Sequence, residues 1–419
     1  MLIPLSNPDI TEKEKSTVMQ VLDSTYLALG PYLKKFEDSF SSYTGLKYAL
    51  GVNSGTSALH IILRSMGFAK GHGMLTTPFT FVASANVAVY EHGDPVFIDI
   101  DPYNYNISID KLNRFFEGKY RPTKNHIKTD FLMAVDVFSL PLDWDKIRIP
   151  GEIKVIEDSC EALGAEYKNK KAGTFGLAGA FAFYPNKQIT TGEGGIIVTD
   201  DEGIYKAVKS MSNQGRGESG AWLEHVRLGY NYRMDEMSAA LGYCQMTRLD
   251  EILAKRKSAA DRYQKLFERN SFFICPSVPD YVTKESWFVY VVRINIAWIS
   301  NLLGFPNWIS TYQMPDIIEH KNREEWHTYL KKARTVLDSL LEKLLKKGVQ
   351  ARNYFSPVHL QKFYKDLYGY EEGDFPYTEL TSCLTVAIPF FSNITAEQQE
   401  YVVKSITESA LEIENEIHG

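Results

Sequence analysis

The amino-acid sequence predicts an α/β protein in which a large domain with a mostly parallel central sheet precedes a smaller α+β domain. The first observation behind this prediction is that short apolar segments alternate with helical segments across the first half of the chain, which is typical of a parallel sheet covered by helices. The second is the length of 419 residues, which exceeds one ordinary core and favours two domains. We place the large domain at residues 1–254 and the small domain at residues 255–419.

The elements of the first half follow from apolar pattern and helix-breaking residues. Residues 1–45 are predicted to be helical, with an interruption at Gly30-Pro31. The predicted strands are KYALGV, GMLTTP, PVFIDID, FLMAVDV and KVIEDS, and the helices between them include SGTSALHIILRSMGF and FVASANVAVYEHG. Ligands of such sheets bind beyond the carboxyl ends of the strands. The candidate site residues at those ends are Asn53 to Ser57, Asp99, Asp136 and Asp158.

The second half changes in pattern. A long amphipathic helix is predicted within NYRMDEMSAALGYCQMTRLDEILAKRKSAADRYQKLF, as a link between the two halves. Beyond Pro276, a strand SWFVYVVRI and a helix through YLKKARTVLDSLLEKLLKKG follow, which is typical of a small α+β domain.

Composition narrows the function classes. A formal net charge of −6 does not suggest nucleic-acid binding, which normally needs a basic face. No apolar run reaches the roughly 20 residues of a membrane helix, and the N-terminus lacks the basic and apolar regions of a signal peptide. The four cysteines (Cys160, Cys244, Cys275 and Cys383) form no CxxC pair, so we expect reduced thiols, no metal site and a cytoplasmic protein.

Asp158 and Lys187 together suggest a cofactor. Asp158 ends a buried strand, and a buried carboxylate needs a partner. A helix cap or an ion pair would serve, and so would the ring nitrogen of pyridoxal phosphate (PLP), which a carboxylate keeps protonated. PLP also requires a lysine for a Schiff base. Lys187, in AFYPNKQITTGEGGIIV, is either that lysine or a solvated loop cation.

A phosphate cradle completes the set. The segment NSGTSALH places Gly55, Thr56 and Ser57 between a strand end and a helix, where backbone N–H groups, hydroxyls and the helix dipole favour a phosphate. An ordinary Ser/Thr helix cap is the alternative for this segment alone. The ordered combination of cradle, carboxylate and lysine favours PLP.

These motifs resemble the DegT/DnrJ/EryC1/StrS family, the sugar aminotransferases of fold type I among PLP enzymes. The resemblance runs through GPYLKKFEDSFSSYTGLKYALGVNSGTSALH, TTPFTFVASANVAVYEHGDPVFIDID, IEDSCEALGA, FAFYPNKQITTGEGGIIVTDD, LGYNYRMDEMSAALG, SWFVYVVRI, ARNYFSPVHLQKFY and LTVAIPFF. It implies a fold type I PLP-dependent transferase. The segment around the lysine is the most specific to the family.

The resemblance assigns roles within the site. Lys187 would bond covalently to PLP and act as the general acid–base of the proton shift. Asp158 would hold the pyridine nitrogen, and the segment Gly55, Thr56 and Ser57 would bind the phosphate. Phe81 would stack on the cofactor ring.

The resemblance also implies shared active sites. Family members are homodimers, and Asn231, in GYNYRM, matches the asparagine that reaches the phosphate in the neighbouring subunit. Three further residues are expected to contact the sugar or the diphosphate, although a structural role is equally open for each: Tyr184, Arg227 and His359.

Three departures from the family pattern stand out. Ala182 replaces a serine that supplies a phosphate hydroxyl, so another contact must substitute or PLP binds more weakly. Glu161 occupies a cofactor-binding position that holds histidine or glutamine in many members, and glutamate there points to relatives that aminate a 4-keto-6-deoxy sugar. The segment around residues 295–325 is longer than the usual link, and an insertion there is expected to cover the substrate entrance, add an interface or form a surface loop.

The implied reaction is amination of a keto group on a nucleotide-linked sugar, with an amino acid such as L-glutamate as donor. A PLP-dependent sugar dehydratase of the same family would have histidine at position 187. A non-catalytic regulatory protein would have no need of Lys187 and Asp158 together, and no helix-turn-helix is evident. A nicotinamide-dependent enzyme would need GxGxxG after its first strand, where this chain has GVNSGTS.

Overall fold

The computed structural model describes residues 2–122, 128–218, 224–305 and 323–418. The helices within these ranges are α1 (Glu12–Leu22), α2 (Pro31–Thr44), α3 (Gly55–Ser65), α4 (Ala83–Tyr90), α5 (Ile109–Phe116), α6 (Glu202–Ser212), α7 (Glu236–Met246), α8 (Leu249–Phe267), α9 (Ile296–Leu302), α10 (Arg323–Lys346), α11 (Lys362–Tyr368), α12 (Pro376–Leu384) and α13 (Ala396–His418). The strands are β1 (Tyr48–Val52), β2 (His72–Thr76), β3 (Asp94–Phe97), β4 (Lys128–Val135), β5 (Lys154–Asp158), β6 (Glu166–Tyr167), β7 (Lys170–Lys171), β8 (Ala178–Ala182), β9 (Gly195–Thr199), β10 (Phe273–Ile274), β11 (Val282–Lys284), β12 (Tyr290–Ile294) and β13 (Thr385–Ile388).

The central sheet has the order β1-β9-β8-β5-β4-β2-β3. Strands β3, β2, β4, β5 and β8 run parallel to one another, whereas β9 is antiparallel to both of its neighbours. The prediction of a mostly parallel α/β sheet is confirmed. Because the parallel strands end at one edge, the loops that follow β1, β2, β4, β5 and β8 meet there.

The start of the chain contains the two helices α1 and α2, whereas residues 2–11 and 23–30, which the prediction of helix over 1–45 included, lie outside them. Pro31 is the first residue of α2, where its missing N–H costs no helical hydrogen bond. Gly45 ends α2 in the left-handed conformation, with a φ of 75°, which glycine adopts without strain.

The long helix predicted after the NYRM segment is instead two helices, α7 and α8, which meet at Thr247-Arg248. The Thr247 hydroxyl donates to the carbonyl of Cys244 at 2.7 Å, and the Arg248 guanidinium turns to Glu14 of α1 at 2.7 Å. The break therefore comes from tertiary contacts rather than from a glycine or proline. Residue 255, where we place the second domain, lies inside α8, and this boundary stays a prediction.

The C-terminal part is built on a second sheet, with the antiparallel order β10-β12-β13. One apolar cluster joins this sheet to the end of α8 and to α10 and α13, with Trp326, Tyr329 and Tyr263 fully buried. The N-terminal residue Ile3 enters the same cluster. A small sheet, β11-β6-β7, lies apart from these two.

Residues 306–322, most of the predicted insertion around 295–325, lie outside the described residues. Within the described ranges, helix α9 occupies the start of that segment. The helices of the described residues include none long and apolar enough to cross a bilayer. The four cysteines are free thiols.

Candidate active site

A cavity of about 650 Å³ opens at the carboxyl edge of the central sheet. Its walls come from the segments that follow β1, β2, β4, β5 and β8 and from two segments of the C-terminal part. The lining residues are Ser54, Gly55, Thr56, Leu59, Thr80, Phe81, Ala83, Ser84, Val135, Asp158, Cys160, Glu161, Ala182, Tyr184, Asn186, Lys187, Glu193, Gly194, Phe288, Asn353, Tyr354 and Phe355. The sheet thus collects residues distant in sequence, as the strand-end rule predicts.

The N-terminus of α3 forms one wall. The Ser54 hydroxyl caps the helix by accepting from the Ser57 amide at 3.1 Å, which leaves the amides of Gly55 and Thr56 without an intrahelical partner. Gly55 is needed for packing, because a Cβ there would lie 2.6 Å from the Cβ of Ala182. The helix terminus therefore presents N–H groups and a hydroxyl to an anion.

Asp158 lies at the end of β5 and is 5% exposed. Its carboxylate accepts from the Ser84 hydroxyl at 2.7 Å and from the Cys160 amide at 3.2 Å. The Ser84 hydroxyl also lies 3.0 Å from that of Thr80. These contacts fix the orientation of the carboxylate while it still lines the cavity, so a cationic ring nitrogen has a preorganised partner.

Lys187 lies in a turn after β8, and its amide donates to the carbonyl of Tyr184 at 2.9 Å. The Nζ atom is 3.6 Å from Oε1 of Glu161 and 3.9 Å from the centre of the Phe288 ring. The side chain is 13% exposed. Lys187 is therefore a largely buried amine inside the cavity, which excludes the solvated loop cation.

Burial raises the pKa of Glu161, while the nearby Lys187 and the Phe138 amide, which donates to Glu161 at 2.9 Å, oppose that shift. Burial likewise raises the pKa of the Cys160 thiol, and the charge of Asp158 adds to the effect. The thiol is thus held protonated, which suits a wall of the cavity better than a nucleophile.

A second layer of acids lies behind the cavity. Burial raises the pKa of Asp136 well above its usual range, with the neighbouring Glu157 as the next cause. Glu157 accepts from the amides of Gly173 and Phe175 at 2.6 and 2.7 Å. Ser159 donates to Asp136 at 2.5 Å. This layer supports the ends of β4 and β5 and does not line the cavity.

The structure brings most of the predicted site residues together. Phe81 and Tyr184 line the cavity with 60% and 53% of their surface exposed, so each has a free ring face. Ser57 does not line it: its hydroxyl accepts from Ser54 at 2.9 Å, and Ser54 lines the cavity in its place.

Two predicted residues lie on the outer surface. Arg227 and Asn231 are exposed and do not line the cavity of their own chain. His359 is fully buried and pairs with Glu379 at 3.1 Å. Because a side chain with no exposed surface cannot touch a substrate, the structure does not support the predicted contact of His359.

Several lining residues escaped the sequence analysis. Ser84 and Thr80 carry no signal in the sequence, because their role depends on the contact of Ser84 with Asp158 in the folded chain. Phe288, Asn353 and Tyr354 come from the C-terminal part, and only the fold brings them to Lys187. The aromatic segment ARNYF was visible as a motif, but nothing local in it indicates which ring faces the cavity.

The fold and the site together define a fold type I PLP-dependent transferase. A helix terminus for a phosphate, a preorganised carboxylate for a ring nitrogen and a buried amine line one cavity, and this donor set fits PLP. The chain belongs to the DegT/DnrJ/EryC1/StrS aminotransferase family, whose sequence profile matches residues 8–302 and 309–407. Membership confirms the predicted class, a PLP-dependent sugar aminotransferase.

Individual relatives agree with this class. The chain is 31% identical to GDP-perosamine synthase of Escherichia coli O157:H7, over 97% of this chain and 98% of the relative. It is 30% identical to UDP-4-amino-4,6-dideoxy-N-acetyl-beta-L-altrosamine transaminase of Campylobacter jejuni, over 88% and 87%. The structure of Helicobacter pylori PseC, an aminotransferase involved in the biosynthesis of pseudoaminic acid, superimposes with a TM-score of 0.79 at 25% identity, over 99% of this chain and 100% of that one.

Proposed function

We propose that the protein transfers an amino group from an amino acid, with L-glutamate as the donor, to the keto group of a nucleotide-linked sugar of the 4-keto-6-deoxy class. The observation that carries the proposal is that Lys187 and Asp158 line the same cavity as the α3 terminus. One cofactor can therefore contact all three.

The residues divide the work of such a reaction. Bound PLP supplies an electron sink that stabilises negative charge on the carbon losing a proton. The Asp158 carboxylate, oriented by Ser84, would hold the proton on the ring nitrogen. The amides of Gly55 and Thr56 would hold the phosphate, and Phe81 would cover the ring.

Lys187 is the group that moves the proton. Its amine would act as the general base that takes the proton from the substrate carbon and as the acid that gives it back. Glu161 and the Phe288 ring, both within 4 Å of Nζ, hold the amine in the cavity for this role. The same lysine serves both half-reactions because each is the same proton transfer in opposite order.

Three features support the substrate class. GDP-perosamine synthase and the Campylobacter transaminase are both named for amino-sugar products, and the name of the second specifies a 4-amino-4,6-dideoxy sugar. Glu161 lies 3.6 Å from Lys187, at the position where it suggests this subgroup. The cavity volume leaves room for a sugar beside the cofactor. The free thiols support a reducing, cytoplasmic setting.

The decisive test is a visible absorption spectrum of the purified protein with PLP, before and after L-glutamate is added. We expect a yellow band that L-glutamate bleaches and that a 4-keto-6-deoxy nucleotide sugar restores. Lys187→Ala is the matched control, because it should bind PLP without the band of the lysine-linked form and should not turn over. A band that no amino acid alters, or normal turnover by Lys187→Ala, would contradict the proposal.

A further inference from the structure

Backbone hydrogen bonds hold the segment Tyr230–Tyr232, which includes Asn231, in place. The Asn53 amide donates to the carbonyl of Tyr232 at 3.0 Å. On the other side, the Tyr230 and Tyr232 amides donate to the carbonyls of Met211 and Ser212 at 2.6 and 2.9 Å. The segment thus runs extended between the end of β1 and the end of α6.

The two tyrosine side chains pack together against α3. Their rings stack, with centroids 4.9 Å apart and an interplanar angle of 11°. The Tyr232 hydroxyl lies 3.1 Å from Nδ1 of His60, and the Tyr230 hydroxyl donates to Glu91 at 3.4 Å. The Arg64 guanidinium lies 5.8 Å from the centre of the Tyr230 ring.

The protonation of this cluster is fixed by its contacts. His60 is 5% exposed and its Nε2 lies 2.7 Å from Glu91, which also pairs with Arg64. A carboxylate only accepts hydrogen bonds, so Nε2 carries the proton. Burial lowers the pKa of His60, which keeps the ring neutral. Nδ1 therefore accepts, and the Tyr232 hydroxyl donates to it.

Alternation along an extended segment then decides where Asn231 faces. Side chains of successive residues point to opposite sides, so Tyr230 and Tyr232 against α3 require Asn231 to face away, and it is exposed. We propose that His60 and Tyr232 are positioning residues that lock this segment to α3 and thereby present Asn231 to the cofactor phosphate in a second copy of the chain.

This inference rests on the proposed function, since it gives Asn231 a role in the neighbouring site. It adds a connection between the two sites. Thr56, His60 and Arg64 are spaced four residues apart and share one face of α3. Helix α3 thus lines the cavity of its own chain with its first turn and also holds the Asn231 segment that would reach the cavity of the second copy.

The test compares PLP dissociation constants, measured by titration of apoprotein, for variants that each lose one group. Tyr232→Phe removes only the hydroxyl that donates a hydrogen bond to His60. We expect about a three- to tenfold weaker PLP affinity, in line with the loss of one hydrogen bond. Asn231→Ala should weaken PLP at least as much. The control is Tyr205→Phe, which removes a hydroxyl from another stacked tyrosine pair, Tyr48–Tyr205, with centroids 4.5 Å apart, and should leave PLP affinity unchanged.

The outcomes distinguish a failure of the positioning role of Tyr232 from a failure of the proposed function. If Asn231→Ala weakens PLP and Tyr232→Phe behaves like Tyr205→Phe, the positioning role is overturned while the proposed function stands. If Asn231→Ala has no effect on PLP affinity, the inference fails at its premise, whereas bleaching by L-glutamate still reports the aminotransferase independently. Equal melting temperatures of Tyr232→Phe and Tyr205→Phe would show that the affinity change is not a loss of fold.

A hybrid dimer locates the effect. When Tyr232→Phe chains are paired with Lys187→Ala chains, the site that uses the intact lysine takes Asn231 from the chain with the intact Tyr232. We expect that site to bind PLP with wild-type affinity. Weak binding at that site would place the effect within the Tyr232→Phe chain's own cradle and overturn the proposal.

Discussion

Ala182 leaves the proposed phosphate site with one hydroxyl group fewer than a serine would supply. Its Cβ faces the start of α3, as the 2.6 Å approach to a Cβ built on Gly55 shows. A serine at this position would therefore add a hydroxyl beside the α3 amides. The hydroxyls that already line this wall belong to Ser54 and Thr56. The Ser54 hydroxyl donates to Ser57, so we expect Thr56 and the α3 amides to compensate for the alanine.

Ala182→Ser should tighten PLP binding about three- to tenfold, because it adds a charge-assisted hydrogen bond to the phosphate. Titration of apoprotein with PLP measures the change. The matched control is Ala180→Ser, two residues earlier on the same face of β8 but fully buried, which should lower the melting temperature and leave PLP affinity unchanged. An unchanged or weaker affinity for Ala182→Ser would mean that Thr56 and the α3 amides already saturate the phosphate.

The segment between β11 and β12 shows how an element positions a site residue. Phe288, which contacts Lys187, is held on its backbone by Arg256 of α8, whose guanidinium donates to the carbonyls of Trp287 and Phe288 at 2.8 and 2.7 Å. Glu285 anchors the start of the segment by accepting from the Trp287 amide at 2.9 Å and from the Ser139 hydroxyl. The lysine is thus supported by residues that never touch it.

Glu285, in the segment between β11 and β12, makes the free energy of unfolding depend on pH. Burial raises the pKa of Glu285 to about 7, against hydrogen bonds from Ser139 and the Trp287 amide that lower it. Because the folded-state pKa exceeds the ordinary value of 4.5, the protonated carboxyl contributes stability that is fully present below pH 4.5 and is lost as the pH rises through about 7.

Glu285→Gln should remove this dependence, since the amide keeps an acceptor oxygen and cannot ionise. We expect a free energy of unfolding about 1–3 kcal/mol higher than that of the wild type at pH 8 and nearly equal at pH 4.5. Thermal or urea unfolding across this pH range measures it. The exposed Glu268→Gln is the control and should shift far less. A gain for Glu285→Gln that is the same at both pH values would exclude ionisation as its cause.

The elements also show how far sequence reasoning reaches. The strand ends, the α3 terminus and Lys187 were predictable because Gly, Ser, Thr and apolar runs carry their signals locally. The break at Thr247-Arg248 was not, because it depends on the pairing of Arg248 with α1, more than 200 residues away in sequence. For the same reason Phe288 was missed and the burial of His359 was not foreseen: both depend on packing partners that the local sequence does not indicate.

At the scale of the whole molecule, the exposed position of Asn231 bears on whether two copies of the chain share their sites. Asn231 is exposed on its own chain and does not line that chain's cavity. Exposed apolar side chains lie nearby in sequence at Val226 and Leu228, and others lie at Tyr26, Leu27 and Leu29, as expected of a surface that a second subunit covers. Both observations are those expected of the homodimer with shared sites that the family resemblance implies.

Mixing two impaired variants tests this arrangement, at a PLP concentration that leaves the weakened Asn231→Ala sites largely unoccupied. Lys187→Ala lacks the lysine and Asn231→Ala lacks the contributed amide, so each homodimer has two defective sites. A hybrid dimer has one site with both defects and one site with neither, and random exchange should restore about one quarter of the wild-type sites. Amination of a keto-sugar nucleotide after co-refolding measures the recovery.

The control is a mixture of Lys187→Ala with Asp158→Asn, two residues of the same cavity. Their defects fall in separate sites of the hybrid, so neither site is whole and no activity should return. Recovery in the first mixture alone shows that Asn231 acts across the interface, because only a residue supplied by the second chain can be complemented in this way. If the first mixture gains no activity over the separate variants although native mass spectrometry detects hybrid dimers, each site is built within a single chain, and the exposed Asn231 segment serves another purpose.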